Sequence, residues 1–306
     1  MLSISTAWNY REDMNALQML IELKATGLKF LELGYHLRRH QLEELIPLLE
    51  PMNFKISSIH NYCPVPDDGH SSRHISNYYR LSALEETERQ RAVKWTCNSI
   101  DTAVRVGAGV VVIHAGTVEL EERQLKQLFD LYQGGKKETK EFIQLRDELL
   151  RKRREECSVY LEALQKSLDE VMSYTQKKKM RIGLETRYYI NEIPNWEEVG
   201  LLLTRYHHQG MFYWHDVGHA EVNERFGISP HLGYLKHYAN LMIGWHLHGV
   251  KILRDHQAPL EGDFDLMKVL PFSKKDHIKV IESHSMATLE QIRKAVKILS
   301  SFEEKT

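Results

Sequence analysis

The stretch MFYWHDVGHA, residues 211–220, shows the pattern from which the fold is predicted. Its first five residues are mostly apolar or aromatic on both faces, which is typical of a strand buried inside a parallel sheet. Asp216 follows this run directly, and His219 comes three residues later. Side chains that can bind metal or transfer protons therefore stand where a buried strand is predicted to end.

Seven other short runs have the same character, and stretches with helical periodicity separate them. The predicted strands are 2–6, 29–33, 54–59, 110–114, 181–185, 211–215, 241–247 and 277–282, and the clearest predicted helices are 13–27, 41–52, 89–107 and 289–302. Eight strands alternating with helices, without a Gly/Pro/Ser-rich linker, predict an α/β fold with a single (β/α)8 TIM barrel domain over residues 1–306. A doubly wound open sheet is the competing architecture.

Two connections between predicted strands are long. Residues 61–87, which contain Pro64, Pro66 and Gly69, are predicted to form a loop over the mouth of the barrel. Residues 119–180 are densely charged and have helical periodicity, and they predict a long helical insertion after the fourth strand. The charges suit a solvated helix face, while a lid or a subunit contact is the functional alternative.

Charge and cysteine content narrow the classes of function. Lys and Arg number 41 against 42 Asp and Glu, so no global field attracts nucleic acid and such a partner is not expected. The three cysteines form neither a disulfide framework nor a C-x-x-C pair, which indicates a reducing, cytoplasmic location. No apolar run approaches the ~20 residues of a membrane helix, and no signal peptide is predicted. A homo-oligomer is left open.

Six predicted strands end in residues that can bind metal or transfer protons. These residues are His60, His114, Glu185, Asp216, His246 and Glu282. Barrel enzymes build their active sites at the C-terminal ends of the strands, so these side chains are expected to meet. Three carboxylates and one imidazole suit Mn²⁺, Mg²⁺ or Co²⁺, with Zn²⁺ also open. Structural alternatives are a helix N-cap for Asp216, an ion pair of Glu185 with Arg187, and core packing for a single histidine. Alternation places His248 on the same strand face as His246.

The order of these residues resembles the xylose-isomerase-like barrel superfamily, which includes sugar isomerases, ketose 3-epimerases and endonuclease-IV-type enzymes. The resemblance runs from STAWN (5–9) to the final helix, with departures at Gly249 and Leu260, where relatives usually carry Asp and Gly. It implies one divalent metal ion per chain (Mn, Co, Mg or Zn), held by Glu185, Asp216, His246 and Glu282. Glu185 and Glu282 are then the catalytic residues. Substrate-binding roles are implied for His60, His114, Arg187, His219, Arg254 and His256.

The resemblance implies a metal-dependent isomerase or epimerase that acts on a sugar, a sugar phosphate or a related polyol through an enediolate. One alternative is an endonuclease-IV-like phosphodiesterase that acts on abasic DNA with three zinc ions. The additional histidines of that branch match His60, His114, His219 and His256. Arg254, however, aligns with the Asp that completes the third zinc site, which argues against this alternative. The other alternative is a barrel that binds a sugar without catalysis.

Overall fold

A closed barrel of eight parallel strands forms the centre of the protein. The computed structural model describes residues 1–68 and 77–303. The barrel strands are β1 (Leu2–Ser5), β2 (Phe30–Leu33), β3 (Lys55–His60), β4 (Val110–Ile113), β5 (Ile182–Glu185), β6 (Met211–Asp216), β7 (Met242–Leu247) and β8 (Ile278–Ile281). Around the barrel they run β1, β8, β7, β6, β5, β4, β3, β2, each parallel to its neighbours. The (β/α)8 prediction is confirmed, and closure excludes the open sheet.

Helices cover the outside of the barrel. They are α1 (Ala16–Lys24), α2 (Arg39–Leu49), α3 (Glu86–Val106), α4 (Glu122–Gln133), α5 (Lys140–Lys177), α6 (Trp196–Tyr206), α7 (Val217–Phe226), α8 (His231–Tyr238) and α9 (Leu289–Glu303). Both α4 and α5 lie between β4 and β5, which confirms the helical insertion after the fourth strand. Of the predicted loop 61–87, residues 69–76 lie outside the described residues. In the described part of the chain, no helix is long and apolar enough to cross a membrane.

Apolar side chains pack inside the barrel. Trp214 is fully buried there, in a cluster with Val110, Val112, Ile243, Ile278 and Val280. Glycines on the two neighbouring strands make room for the indole ring. A Cβ atom on Gly244 would lie 2.1 Å from Trp214 Cζ3, and one on Gly183 would lie 3.0 Å from Trp214 Cε3. The absence of side chains at these two positions is therefore a requirement of the packing.

The same strands carry polar side chains at their C-terminal ends. Inward-facing positions recur at every second residue of a strand. Two residues beyond Gly183, Trp214, Gly244 and Val280 come Glu185, Asp216, His246 and Glu282. Regular alternation thus places four ionisable side chains directly above the apolar interior, at the end of the barrel where enzymes of this fold bind their substrates.

Two short antiparallel strand pairs lie beyond the ends of the barrel strands. Gly116–Thr117 pairs with Glu192–Ile193, and Gly249–Lys251 pairs with Arg254–Gln257. The second pair contains a residue with a left-handed backbone, His256, whose φ is 51°. These pairs extend the wall of the barrel mouth and bring further residues to it.

A buried ion pair attaches the long helix α5 to α6. The Arg153 guanidinium donates to both carboxylate oxygens of Glu198, at 2.8 and 2.7 Å. The Cys157 thiol also donates to Glu198, at 3.0 Å. Burial alone raises the pKa of Glu198, but the Arg153 guanidinium holds it below its usual value. Glu198 is thus a buried carboxylate whose charge is partnered by Arg153.

Replacing Gly244 by Ala tests the packing inside the barrel. The added methyl group meets the Trp214 ring far inside van der Waals contact, so Gly244→Ala is expected to lower the free energy of unfolding by about 3 kcal/mol, at the upper end of the range for overpacking. Gly183→Ala, with its longer contact, serves as the graded control and is expected to cost about 1 kcal/mol. Urea unfolding followed by fluorescence measures both. Equal stability of Gly244→Ala and the parent protein would contradict this packing.

Candidate metal centre

Four of the residues predicted from the strand ends converge on one point. Glu185, Asp216, His246 and Glu282 are buried, and each offers a ligand atom within 4.8 Å of the others. His246 Nδ1 lies 2.7 Å from Glu185 Oε1, 3.0 Å from Glu282 Oε2 and 3.6 Å from Asp216 Oδ2. We call this set the four-ligand group. It contains three oxygen donors and one nitrogen donor, a set that suits Mn²⁺, Co²⁺, Mg²⁺ or Zn²⁺.

The four-ligand group carries strong like-charge repulsion. Burial and the negative charges of Glu32 and Glu185 raise the pKa of Glu282 well above its usual value. Although burial opposes it, the carboxylates of Glu282, Glu32 and Glu185 hold the pKa of His246 well above that of a free imidazole. Glu282 Oε1 has no hydrogen-bond partner among the described residues. An unpartnered carboxylate oxygen amid like charges fits a bound cation.

A second set of side chains meets on the other oxygen of Glu185. His114 Nε2 lies 2.7 Å from Glu185 Oε2, and His60 Nε2 lies 3.4 Å from the same oxygen. Both histidines are buried or nearly so, with side-chain exposures of 1% and 9% for His60 and His114. Two ring nitrogens therefore face the same carboxylate oxygen. We call these residues the His60–His114 group.

Hydrogen bonds on the far side of these two rings fix their tautomers. His60 Nδ1 lies 3.1 Å from the carbonyl oxygen of Asn61, and His114 Nδ1 lies 3.2 Å from Asn77 Oδ1. The Asn77 amide nitrogen donates to Glu192 at 3.2 Å, which assigns the amide oxygen to the His114 side. Each Nδ1 therefore carries the proton, and each Nε2 presents a lone pair to the Glu185 carboxylate. Acceptors that face one another in this way fit a cation held between them.

A third set of side chains also directs two histidine rings at one carboxylate. His219 Nε2 and His256 Nε2 lie 3.6 and 3.5 Å from Asp255 Oδ2. Their Nδ1 atoms donate to the carbonyl oxygens of Thr186, at 2.8 Å, and of Glu282, at 2.9 Å. Both Nε2 lone pairs therefore face a carboxylate, as in the His60–His114 group. We call these residues the Asp255 group.

Asp255 was not among the site residues predicted from the sequence. Arg254, which the resemblance put near the substrate, is exposed and borders a separate surface depression with Gln133 and Lys251. Strict alternation would send Asp255 and His256 to opposite faces, but the left-handed backbone at His256 interrupts it, and both side chains face the mouth. Arg254 therefore lies outside the wall of this cavity, and its neighbour Asp255 supplies a carboxylate there.

The structure also contains two of the structural roles that the sequence suggested, the N-cap role of Asp216 and the ion pair of Glu185 with Arg187. Asp216 is the N-cap of α7, since its Oδ1 accepts from the His219 backbone N–H at 2.7 Å. His248 lies behind Asp216: its Nδ1 accepts from the His256 N–H at 2.9 Å, so its Nε2–H donates to Asp216 at 3.1 Å. His248 thus supports a ligand instead of facing the centre. Glu185 also pairs with Arg187, at 3.1 Å.

A small polar cavity of about 220 Å³ opens above these groups. Its wall includes the predicted substrate residues His60, His114, Arg187, His219 and His256. Tyr35, Asn77, Tyr188 and Glu192 complete much of the remaining wall. Sequence reasoning missed these last residues because they belong to connections, whereas Glu32, also missed, was visible as a carboxylate within the apolar run KFLEL.

Carboxylates outnumber cations around this cavity. Glu32, Glu185, Glu192, Asp216 and Glu282 are buried, and Asp255 is partly buried. Among the described residues that line the cavity, Arg187 is the one guanidinium, and it bonds both Glu185 and Glu192. Burial raises the pKa of Glu192, but Arg187 lowers it to about 2. A single guanidinium cannot balance this negative charge, so the centre is suited to one or more divalent cations.

The helical insertion packs against one wall of the cavity. Phe129 of α4 stacks on Tyr188, with ring centroids 5.7 Å apart. Tyr188 in turn lies edge-on to His219, also at 5.7 Å, and its hydroxyl donates to the Leu253 carbonyl oxygen at 2.5 Å. The insertion thus holds an aromatic side chain over the Asp255 group, in addition to presenting charged residues to solvent.

Comparisons with known proteins agree with this architecture. A comparison with curated protein sequences gives no significant match. Similar solved structures include a D-tagatose 3-epimerase-like protein, with 15% identity, a TM-score of 0.65 and coverage of 99% of this chain and 97% of that one. The 3-keto-D-glucoside 4-epimerase of E. coli has 11% identity, a TM-score of 0.68 and 98% coverage of both chains. The D-psicose 3-epimerase of Clostridium cellulolyticum H10 has 10% identity, a TM-score of 0.64 and coverage of 99% and 98%.

At such identities these structures establish the shared fold and leave the chemistry open. The family model described as xylose isomerase-like TIM barrel matches residues 20–302, which is nearly the whole chain. The match includes every residue of the three ligand groups. The chain belongs to the xylose isomerase-like TIM barrel family.

Proposed function

We propose that the chain is a divalent-metal-dependent isomerase or epimerase that acts on a small sugar, sugar phosphate or related polyol. The observation that carries this proposal is the four-ligand group, whose donor atoms lie within 4.8 Å of one another. They meet below a polar cavity of about 220 Å³, which is smaller than a typical site for a drug-sized ligand and suits a substrate of a few carbons.

The residues around the cavity have the roles that such a reaction needs. A divalent cation held by the four-ligand group would polarise the substrate carbonyl and stabilise an enediolate. Glu185 and Glu282 come from different strands, so one can remove a proton from carbon while the other returns it. His219 and Arg187 line the cavity and can hold substrate oxygens. The exposed Arg254 is not part of this proposal.

Two further observations support a carbohydrate substrate in a reducing compartment. The named relatives of similar structure are sugar epimerases or epimerase-like proteins. Polar donors and acceptors dominate the cavity wall, as hydroxyl groups require. Cys63, Cys97 and Cys157 are free thiols, which supports a cytoplasmic location. Association of identical chains stays a prediction.

A second candidate is metal-dependent hydrolysis of a phosphodiester with two or three ions. The specific observation in its favour is Asp255, which completes a third ligand group and removes the sequence argument against this chemistry. The surplus of buried carboxylates also favours more than one dication. Against it stand the small cavity and the formal net charge of -1, since binding to nucleic acid depends on basic surfaces.

Metal content separates these candidates. Protein purified without chelator is expected to contain about one Mn, Co, Mg or Zn ion per chain, measured by inductively coupled plasma mass spectrometry. Glu185→Gln removes a negatively charged ligand of the four-ligand group and is expected to lose this ion. Glu198→Gln, a buried carboxylate paired with Arg153, is the matched control and is expected to retain it.

The Asp255→Asn variant tells which ligand groups are occupied. Under the isomerase proposal this change leaves the ion content of the purified protein unchanged. Two or three zinc ions per chain, with one lost in Asp255→Asn, would instead favour the phosphodiesterase and make abasic duplex DNA the first substrate to assay. Absence of any metal, even after reconstitution, would contradict both candidates.

Exchange of carbon-bound hydrogen with solvent tests the reaction itself. The Mn²⁺-loaded protein, incubated in D₂O with a panel of ketoses and their phosphates, is expected to incorporate deuterium at the carbon next to the carbonyl, because a proton removed by a carboxylate equilibrates with water. Nuclear magnetic resonance of the recovered sugars measures it. Binding of a sugar without exchange would favour a non-catalytic barrel, and epimerisation without incorporation would contradict the two-carboxylate mechanism.

A further inference from the structure

Glu32 is a buried carboxylate directly behind the four-ligand group. Its exposure is 0%, and it lies on β2, on the opposite side of the barrel from β6. Both of its oxygens lie 3.2 Å from His246 Nε2. The Ser58 hydroxyl donates to its Oε2 at 2.8 Å. Among the described residues, no lysine or arginine pairs with this carboxylate, so His246 is its charge partner.

The backbone next to Glu32 is shaped to support it. Pairing between β2 and β3 shifts register, because Leu31 pairs with Ile56 whereas Glu32 pairs with Ser58. The extra residue, Ser57, forms a bulge and donates its hydroxyl to the Leu31 carbonyl oxygen at 3.0 Å. This bulge brings the Ser58 hydroxyl beside Glu32. The bulge in β3 thus supplies a hydrogen bond to the buried carboxylate of Glu32.

The contact with Glu32 determines which nitrogen of His246 faces the ligands. An ionised carboxylate only accepts hydrogen bonds, so His246 Nε2 carries a proton toward Glu32. That leaves Nδ1 to face the four-ligand group. His60, His114, His219 and His256 have the opposite arrangement, with Nδ1–H bonded to a carbonyl or amide oxygen. Of these five rings, His246 alone is held by a carboxylate.

We propose that Glu32 is a positioning residue for metal binding, which fixes the tautomer of His246 and makes its Nδ1 a stronger ligand. A carboxylate behind a ligating imidazole raises the basicity of the facing nitrogen and holds the ring in orientation. The inference rests on the proposed function, because it requires the four-ligand group to bind a cation. It adds a residue that contacts neither the ion nor the substrate.

The proposed role also predicts how loss of the Glu32 charge changes the stability of the metal-free protein. His246 is the charge partner of Glu32, but it also lies within 3.6 Å of carboxylate oxygens of Glu185, Asp216 and Glu282, so its charge stays offset when Glu32 is neutralised. A residue kept for stability would behave in the opposite way, since loss of a well-paired buried charge destabilises the fold. Removing the charge of Glu32 is therefore expected to weaken metal binding without lowering the stability of the metal-free chain.

The experiment compares the full-length parent protein with Glu32→Gln and Glu198→Gln after removal of metal by chelation. Co²⁺ is titrated into each and followed by its visible absorption, and the Tm of the metal-free proteins is measured in parallel. Glu32→Gln is expected to raise the dissociation constant for Co²⁺ by about 10- to 100-fold, the usual effect of losing such a partner. Its metal-free Tm is expected to equal or exceed that of the parent.

Glu198→Gln is matched in chemistry and burial, but Glu198 pairs with Arg153 and is not among the described residues that line the cavity. It is expected to lower the metal-free Tm and leave Co²⁺ affinity unchanged. A Glu32→Gln variant that behaves in this way, or that binds Co²⁺ as tightly as the parent, overturns the role of Glu32 and leaves the proposed function standing. A parent protein that binds no Co²⁺ overturns both.

Discussion

The repulsion among carboxylates buried at the mouth of the barrel is the constraint on which the site depends. Glu32, Glu185, Asp216 and Glu282 lie within reach of His246, and Arg187 is the one guanidinium that the described part of the chain presents to the cavity. Negative charge at this density is stable in a protein interior only when cations or protons offset it. The surrounding hydrogen bonds keep the imidazole lone pairs turned toward the carboxylates, so the whole arrangement accepts positive charge.

The barrel makes this concentration of charge tolerable because its interior is otherwise filled. Trp214 occupies the space left by two glycines. The ligand residues take the next inward-facing position along each strand. A ring that is wedged between strands cannot yield easily, since protein interiors are close-packed. The ligand-bearing strands are therefore held at fixed spacing, with the donor atoms of the four-ligand group within 4.8 Å of one another.

Much of the site could be predicted because it follows from strand alternation. Glu185, Asp216, His246 and Glu282 each end an apolar run, and the (β/α)8 pattern brings such ends together. Asp255 could not be assigned, since its direction depends on the left-handed backbone at His256, which no periodicity reveals. The contact of Glu32 with His246 joins residues 214 apart in sequence across the barrel, and a short-range pattern does not carry such information.

The two carboxylate oxygens of Glu185 face different ligand groups, so this side chain connects them. Oε1 faces His246, while Oε2 faces His60 and His114. Whatever binds one oxygen withdraws electron density and reorients the carboxylate for the other. The two groups are therefore coupled thermodynamically, and a ligand at either changes the affinity of the other by the same factor. The Glu185 side chain therefore links the two groups, and a cation held by one of them would change how the other binds its ligand.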